Sequence, residues 1–476
     1  MIFNTLVQKE LRAILLSPKF TGMFVVSSVL VVVSTLIGIA EYKASVKEYE
    51  GGRQIAEEQL NDQGGWSTMQ YRAFRRPDPM QVFVSGVAFD LGRWSYVEKN
   101  RAAHLLSSAY SNDPLYAVFR FMDFSFVALI VFSLLAIVFT YDAVCGESEA
   151  GTLRLVFASP ITRAQYLLAK CAGAWLGLVI PLAIPVSISL LLVQVLGIPF
   201  QTTDWLRLAL FLATVTLLIT FFVVFGVLMS VLTKSSSVSF LLSLMCWVLL
   251  VFIIPRTGAL VASRIVQVPS VSEIEGKRSA YSRDQWQRFF AGLTDVFRKF
   301  FDENPGVSQE RSFAFQDSVQ MAVMTSIEEY EAKLLQDRRR AEGMQRRLAY
   351  VLCQLSPASS FQLASMSLAN TDVELKLRYE DAIDRYRAEY TKYFKDKKVD
   401  GPGSRRVTSF SDGVGGLRFS FPSVQEIDLS DLPRFVPPTW SASVLPQFFV
   451  EVGSMLCFIL MAFVGGWVAF MRYDLR

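Results

Sequence analysis

The sequence predicts an all-α polytopic membrane protein: six transmembrane helices plus a mainly helical extracytoplasmic domain with a minor β and loop part. Two observations predict it. Between Lys19 and Arg472 the 476-residue chain carries six long runs free of charged side chains. The composition is also apolar, with 52% hydrophobic residues, 38 Phe and a mean hydropathy of +0.34, all high for a soluble chain of this length. A bilayer core of about 30 Å takes about 20 apolar residues in a helix, and every run is close to or above that.

The runs are Phe20–Ala40, Phe124–Tyr141, Cys171–Thr203, Leu208–Thr233, Ser235–Pro255 and Val452–Met471. Residues 1–19 hold an amphipathic stretch, Thr5–Ser17. There Leu6, Leu11, Ile14 and Leu15 share one side, with Gln8, Lys9 and Arg12 opposite. Pro18 marks a bend after it. A helix lying in the interface and then turning into the membrane is the simplest account; a frayed terminus is the alternative. Gly38-Ile39-Ala40 is weakly cleavage-like, yet the first run is too long for a typical signal-peptide core. The third run contains Pro181 and Pro185 and is either a kinked, tilted helix or one that ends before Pro199. Such prolines are tolerated where neighbouring helices satisfy the freed carbonyls, which points to a helix packed in a bundle.

Positive charge in short loops sets orientation. Lys9, Arg12 and Lys19 precede the first run, and Arg154, Arg163 and Lys170 lie in residues 142–170. Lys234 sits between runs four and five, and Arg472 and Arg476 form the tail at 472–476. The opposite short loop, Ile198–Leu206, offers Asp204 and no Lys or Arg. Both termini are therefore expected in the cytoplasm, with residues 41–123 and 256–451 outside. Long translocated segments largely escape the rule, so their arginines do not contradict it.

The larger external segment reads as helical. Val319, Val323, Ile327, Tyr330 and Leu334 step by three or four, and Met344, Leu348, Val351 and Leu355 resume the stripe before Pro357. A second stripe, Leu375, Tyr379, Ile383, Tyr386, Tyr390 and Tyr393, ends before Gly401-Pro402-Gly403. These two helices are expected to pair as an antiparallel hairpin. Ile327, Leu334, Leu348 and Leu352 are expected to form a buried seam against the 41–123 segment. Arg338-Arg339-Arg340 reads as a solvated face, and Ser404–Pro438 as loop or short strand. The turn Arg75-Arg76-Pro77-Asp78-Pro79 and the stretch Gln81–Gly92 should fold against the larger segment. Of five cysteines, at 145, 171, 246, 353 and 457, only Cys353 is external, so no intrachain disulfide can form there and the domain must fold by packing.

Several chemistries are excluded. No G-x-x-x-x-G-K-[ST] occurs, since Gly276-Lys277 lacks the earlier glycine and precedes Arg278. Neither a Gly-x-Ser-x-Gly elbow nor His-Glu-x-x-His appears, and His104 is the single histidine. The chain is expected to be no enzyme and to carry no cofactor or metal. A net charge of +4, with no basic cluster interleaved with aromatics, argues against a nucleic-acid partner. The six runs hold no Asp, Glu, Lys, Arg or His, whereas ion-coupled carriers usually keep such groups at membrane depth. Energy would have to come from a partner.

One segment carries a mechanical signature. Residues 141–155 read Tyr-Asp-Ala-Val-Cys-Gly-Glu-Ser-Glu-Ala-Gly-Thr-Leu-Arg-Leu, followed by Ser159-Pro160-Ile161-Thr162-Arg163 and Lys170. Glu147 and Glu149 precede a short helix beginning near Thr152, where carboxylates favour a helix N-terminus. Gly151 allows the turn, and Leu153, Leu155, Val156 and Phe157 supply an apolar face. Such a helix can dock in a groove on a separate ATPase and be pushed as a lever; an interfacial loop touching lipid is the alternative.

Asp142–Lys170 resembles the loop of permease subunits of type-two ABC exporters, which runs acidic-x-x-Gly-Thr-Leu, short helix, Pro, Ser/Thr-Arg, then Lys or Arg entering the third span. The six spans, the amphipathic start and Arg472-Tyr473-Asp474 agree. Leu355-Ser356-Pro357 and Asp431-Leu432-Pro433-Arg434-Phe435 resemble the branch with a large helical external domain between spans five and six. The resemblance implies a multi-pass protein of the bacterial inner membrane. It implies a permease half acting with a second copy or paralogue and with separate P-loop ATPase subunits. It also implies a coupling site of Glu147, Glu149, Gly151, Thr152, Leu153, Arg154, Leu155, Phe157 and Arg163. A mechanotransmission subunit acting on a periplasmic protein or lipoprotein, and a non-transporting scaffold or sensor, are the alternatives.

Overall fold

A computed structural model describes residues 2–62, 71–97, 122–306, 309–396, 408–412, 416–420 and 432–473. The expected breaker Gly401-Pro402-Gly403, Asp431 and the last three residues of the tail lie outside them. Thirteen helices and two small antiparallel strand pairs make up the described chain.

Helix α1, Ile2–Leu15, lies along the third spanning helix, and Ser17 caps the turn before α2, Pro18–Asp62, with Pro18 in its first turn. α2 does not stop with the apolar run: it continues unbroken past Ala40 for 22 more residues, having 45 in all. α3, Phe124–Val138, follows the N-cap Asp123, whose Oδ1 accepts from Phe126 N at 2.7 Å, and contains a π-helical turn at Ala128–Phe132. After α3 come the short helices α4, Cys145–Glu149, and α5, Thr152–Phe157.

α6, Arg163–Val195, starts eight residues before the charge-free run, on a capping box between Thr162 and Gln165. Pro181 and Pro185 stay inside it, and it ends at Gly197, φ +74°, ahead of Pro199. α7, Thr202–Leu232, is the centre of the bundle: Phe211, Leu218 and Phe222 are fully buried, and it packs on α3, α6 and the last helix. α8, Ser236–Ile265, passes through a second π turn at Leu249–Ile253 and beyond Pro255, which the sequence offered as its end. Among the described residues five helices are long and apolar enough to cross a membrane: α2, α6, α7, α8 and the terminal helix; α3 is shorter.

Helices α9, Val271–Glu303, and α10, Gln309–Cys353, form the long antiparallel hairpin, with Tyr281 stacked on Tyr330 at 4.1 Å and Phe300 on Phe315 at 3.9 Å. α11, Pro357–Leu368, follows, then α12, Glu374–Asp396, and α13, Leu445–Met471. The hairpin expected between the two sequence stripes is therefore replaced by α9–α10. The aromatic side of α9 supplies a closer partner, and α11 separates α10 from α12. The expected seam is corrected likewise: Ile327 is buried, but Leu334, Leu348 and Leu352 are half-buried, and α10 packs on α8 and α9. Leu352 and Cys353 sit against Gly258 of α8.

Contact with the 41–123 segment comes instead from α12. Strands β1, Tyr71–Phe74, and β2, Trp94–Val97, pair with Tyr71 opposite Val97. Ala73 and Val97 share a core with Tyr379, Ile383, Tyr386, Tyr390 and Leu432, and the Tyr379 hydroxyl donates to Ala73 O at 2.7 Å. Val87 N donates to Thr371 O, so the Gln81–Gly92 stretch also folds on the larger segment. Arg339 of the basic triplet pairs with Asp384 of α12 at 2.9 Å rather than only facing solvent. In the Ser404–Pro438 region, β3, Thr408–Asp412, pairs with β4, Gly416–Ser420.

α11 is a buried helix, set between α7 and α13, whose Ser356 caps it at Ala358 N and donates to Leu250 O. Beside it, ionisable side chains are buried at the helix ends just outside the charge-free runs. Glu451 of α13 accepts from Gln354 and Gln447. Arg207 of α7 bridges Asp204 at 2.7 Å and Asp78 at 3.0 Å and donates to Leu368 O.

Candidate coupling site

The end of the bundle that carries both chain termini also carries α4 and α5. Here each candidate residue has a definite place. Ser230 of α7 is wholly buried, and its Oγ accepts from Val144 N at 2.9 Å and Cys145 N at 3.1 Å. That one hydroxyl satisfies two otherwise orphaned donors at the start of α4 and fixes the loop to α7.

Glu147 turns inward. Its Oε1 accepts from Lys170 Nζ at 2.9 Å and Lys9 Nζ at 3.1 Å, and its Oε2 accepts from the Tyr166 hydroxyl at 2.6 Å. Lys170 also reaches Glu10 Oε1 at 2.9 Å. Burial pushes the Glu147 carboxyl up, but Lys170, Tyr166 and Lys9 together outweigh it and hold it below the usual carboxylate range. The knot joins α1, α4 and α6.

Glu149 is exposed, yet it is tied to the start of α8: its Oε1 accepts from Ser236 N at 3.1 Å and its Oε2 from Ser236 Oγ at 2.5 Å. Those bonds hold its carboxyl below the usual range. Gly151, at φ +72°, makes the turn from α4 to α5 in the left-handed region, and Thr152 Oγ1 donates back to Glu147 O at 3.2 Å.

In α5, Leu153 is buried with Val144, Tyr166, Val231 and Phe470. Phe157 packs beside Tyr166 and Phe470, whose rings stack on each other at 5.4 Å. Arg163, at the start of α6, donates from Nη1 to the carbonyls of Phe470, Met471 and Tyr473 at 3.0, 2.6 and 3.2 Å. A guanidinium at that point satisfies the orphaned carbonyls of α13 and complements its dipole. Arg154 and Leu155 face outward, Leu155 being 72% exposed.

The nine residues named from the sequence thus divide. Glu147, Leu153, Phe157 and Arg163 bind the loop to α1, α6, α7 and α13; Glu149 binds it to α8. Gly151, Thr152, Arg154 and Leu155 lie on the exposed side. Sequence reasoning missed Ser230 and Tyr166. A lone Ser near the end of α7 carries no signal, whereas Lys170, a lone charge opening an apolar run, implied a buried partner. Bonds and packing tie α4 and α5 to the ends of four long helices, α6, α7, α8 and α13.

No curated protein matches the chain. The family model described as ABC-2 family transporter protein matches residues 5–475, nearly the whole chain, and the chain belongs to that family of membrane transporter proteins.

Proposed function

We propose that the chain is the permease subunit of an ATP-driven ABC exporter, driven by a separate P-loop ATPase through α4 and α5. The observation that supports this reading most is the contrast along the segment from α4 to the start of α6. Leu155 and Arg154 project into open space, while Leu153, Glu147 and Arg163 are locked to the spanning helices. A free apolar and basic knob on a rigid mount is what a docking lever requires. In this reading the α4–α5 end is cytoplasmic, the protein lies in the bacterial inner membrane, and two permease copies work with two ATPase subunits.

Leu155→Asp combined with Arg154→Glu tests it. Both side chains are exposed, so the fold should keep its melting temperature, while pull-down of the ATPase subunit from native membranes and stimulated ATP hydrolysis should be lost. Wild-type complex formation by this variant would remove the loop from the mechanism.

A second reading, a mechanotransmission subunit acting on a periplasmic protein, is favoured by one observation. α2 and α8 run unbroken out of their apolar runs, and the α9–α10 hairpin shows exposed Phe290, Phe301 and Met321. Reconstituted vesicles separate the two: ATP-dependent movement of solute or lipid supports the exporter, and its absence with intact ATPase stimulation supports the second reading.

A further inference from the structure

Just beyond the apolar part of α2, a narrow cleft lies between that helix and the turn leading from β1. It is lined by Ser45, Glu48, Tyr49, Arg75, Gln81 and Arg93, among others. Glu48 is already paired with Arg93. Arg75 is different: its Nη2 donates to Ala88 O, its Nε is sealed from solvent with no acceptor, and among the described residues no carboxylate pairs with it. The neighbouring Tyr379 hydroxyl donates elsewhere, to Ala73 O.

A buried guanidinium without an anion is costly, because its desolvation is not repaid. Burial lowers its pKa to about 10, so the group still carries its charge at neutral pH. The guanidinium fork matches the oxygens of a phosphate or carboxylate in two-pronged geometry. Ser45 and Tyr49 stand five and nine residues past Ala40, which is about 7–14 Å along the helix. The polar headgroup layer takes up about 5–8 Å on each side of the hydrocarbon, so the cleft opens at the outer edge of that layer, within reach of both a lipid headgroup and the aqueous phase.

We propose that this cleft binds a compact oxyanion, of the kind carried by a phosphate headgroup or a free phosphate, with Arg75 as its countercharge. The glutamate already engaged with Arg93 leaves Arg75 as the charge that selects the ligand. Ser45, Tyr49 and Gln81 offer the neutral donors that complete an oxyanion shell.

The full chain in nanodiscs tests this, with melting temperature as the readout. One arm compares phosphatidylglycerol with phosphatidylcholine discs; the other titrates inorganic phosphate into phosphatidylcholine discs. The wild type is expected to be stabilised in at least one arm. Stabilisation by phosphatidylglycerol alone identifies a lipid headgroup, and stabilisation by phosphate identifies a soluble oxyanion. Arg75→Gln should abolish the gain or weaken the apparent affinity at least tenfold. Because Arg75→Gln also removes the bond to Ala88 O, Ser45→Glu is run beside it: this half-exposed position puts a carboxylate at the cleft and should expel the oxyanion with Arg75 intact. A wild type that responds in neither arm, or a Ser45→Glu variant that responds as the wild type does, overturns the proposal.

Discussion

Lys170 Nζ and Glu147 Oε1 meet at 2.9 Å, joining the first turns of a spanning helix to the short helix beneath it. Lys170 is almost wholly buried, with a side chain 6% exposed, so the pair is an internal one. Its value lies less in net stability than in position, because breaking one side of such a pair leaves an uncompensated charge.

Lys170→Met is therefore expected to destabilise the protein by about 3 kcal/mol. Adding Glu147→Gln should restore part of the loss, since one of the two carboxylates left facing the vacated site, Glu147 and Glu10, is then neutral. Thermal unfolding of the single and double variants checks this, and equal melting temperatures for the two would refute it. The pH dependence has a fixed sign. The folded Glu147 carboxyl lies below its ordinary value of 4.5, so its contribution is present above that pH and is lost as pH falls through the lowered value.

Among the described residues Arg207 is the cation paired with both Asp78 and Asp204, and Trp440 lies over its guanidinium at 5.1 Å. Arg207→Met should cost about 3–5 kcal/mol, the range for removing one partner from a buried charge cluster. Burial raises the Asp78 carboxyl above its ordinary value even with Arg207 present, and the variant should raise it further. A raised carboxyl stabilises the folded state below its unfolded value and loses that as pH rises through the folded one. The variant should thus gain stability between pH 7 and about pH 4, relative to the wild type, in a denaturant series.

Gly38 sits where α2 meets the turn Pro79–Val82, and a Cβ there would strike the Val82 carbonyl. Backbone cannot step aside as a side chain can. Gly38→Ala should cost about 1–3 kcal/mol and expose the 71–97 segment to protease. Gly22→Ala, at a place on the same helix with open space around it, is the control and should change little.

Removing the Tyr379 hydroxyl leaves the buried Ala73 carbonyl without its donor. Tyr379→Phe should cost about 1–3 kcal/mol and loosen β1 from α12, read as faster hydrogen exchange in residues 71–74. An unchanged exchange rate there would show that the strand pair does not depend on α12.

The long apolar helices were legible because an apolar run without charge has one physical solution in a bilayer, and residues 171–195 and 208–232 needed nothing else, whereas the run from Phe124 forms a shorter helix. Their ends were not, since helices such as α6 and α7 continue through polar residues that find partners far along the chain. Glu147 finds Lys9 across 138 positions, and Arg207 finds Asp78 across 129. The Gly151 turn was legible from residue type alone. The inward role of Glu147 was not, because an acidic residue ahead of a helix reads the same whether it faces solvent or a buried lysine. α11 was missed because its Ser- and Ala-rich sequence has little periodicity, although Ser356-Pro357 is a clear helix start.

α2 is one helix through and beyond its apolar run, and that continuity turns angle into distance. The 22 residues past Ala40 extend the rod by about 33 Å. A tilt of about 10° within the bilayer would carry the far end sideways by about 6 Å, the pitch of one helical turn. The helix thus needs no hinge to act at a distance: a shift too small to open a channel between neighbouring spans is still a full step for whatever leans against residue 62.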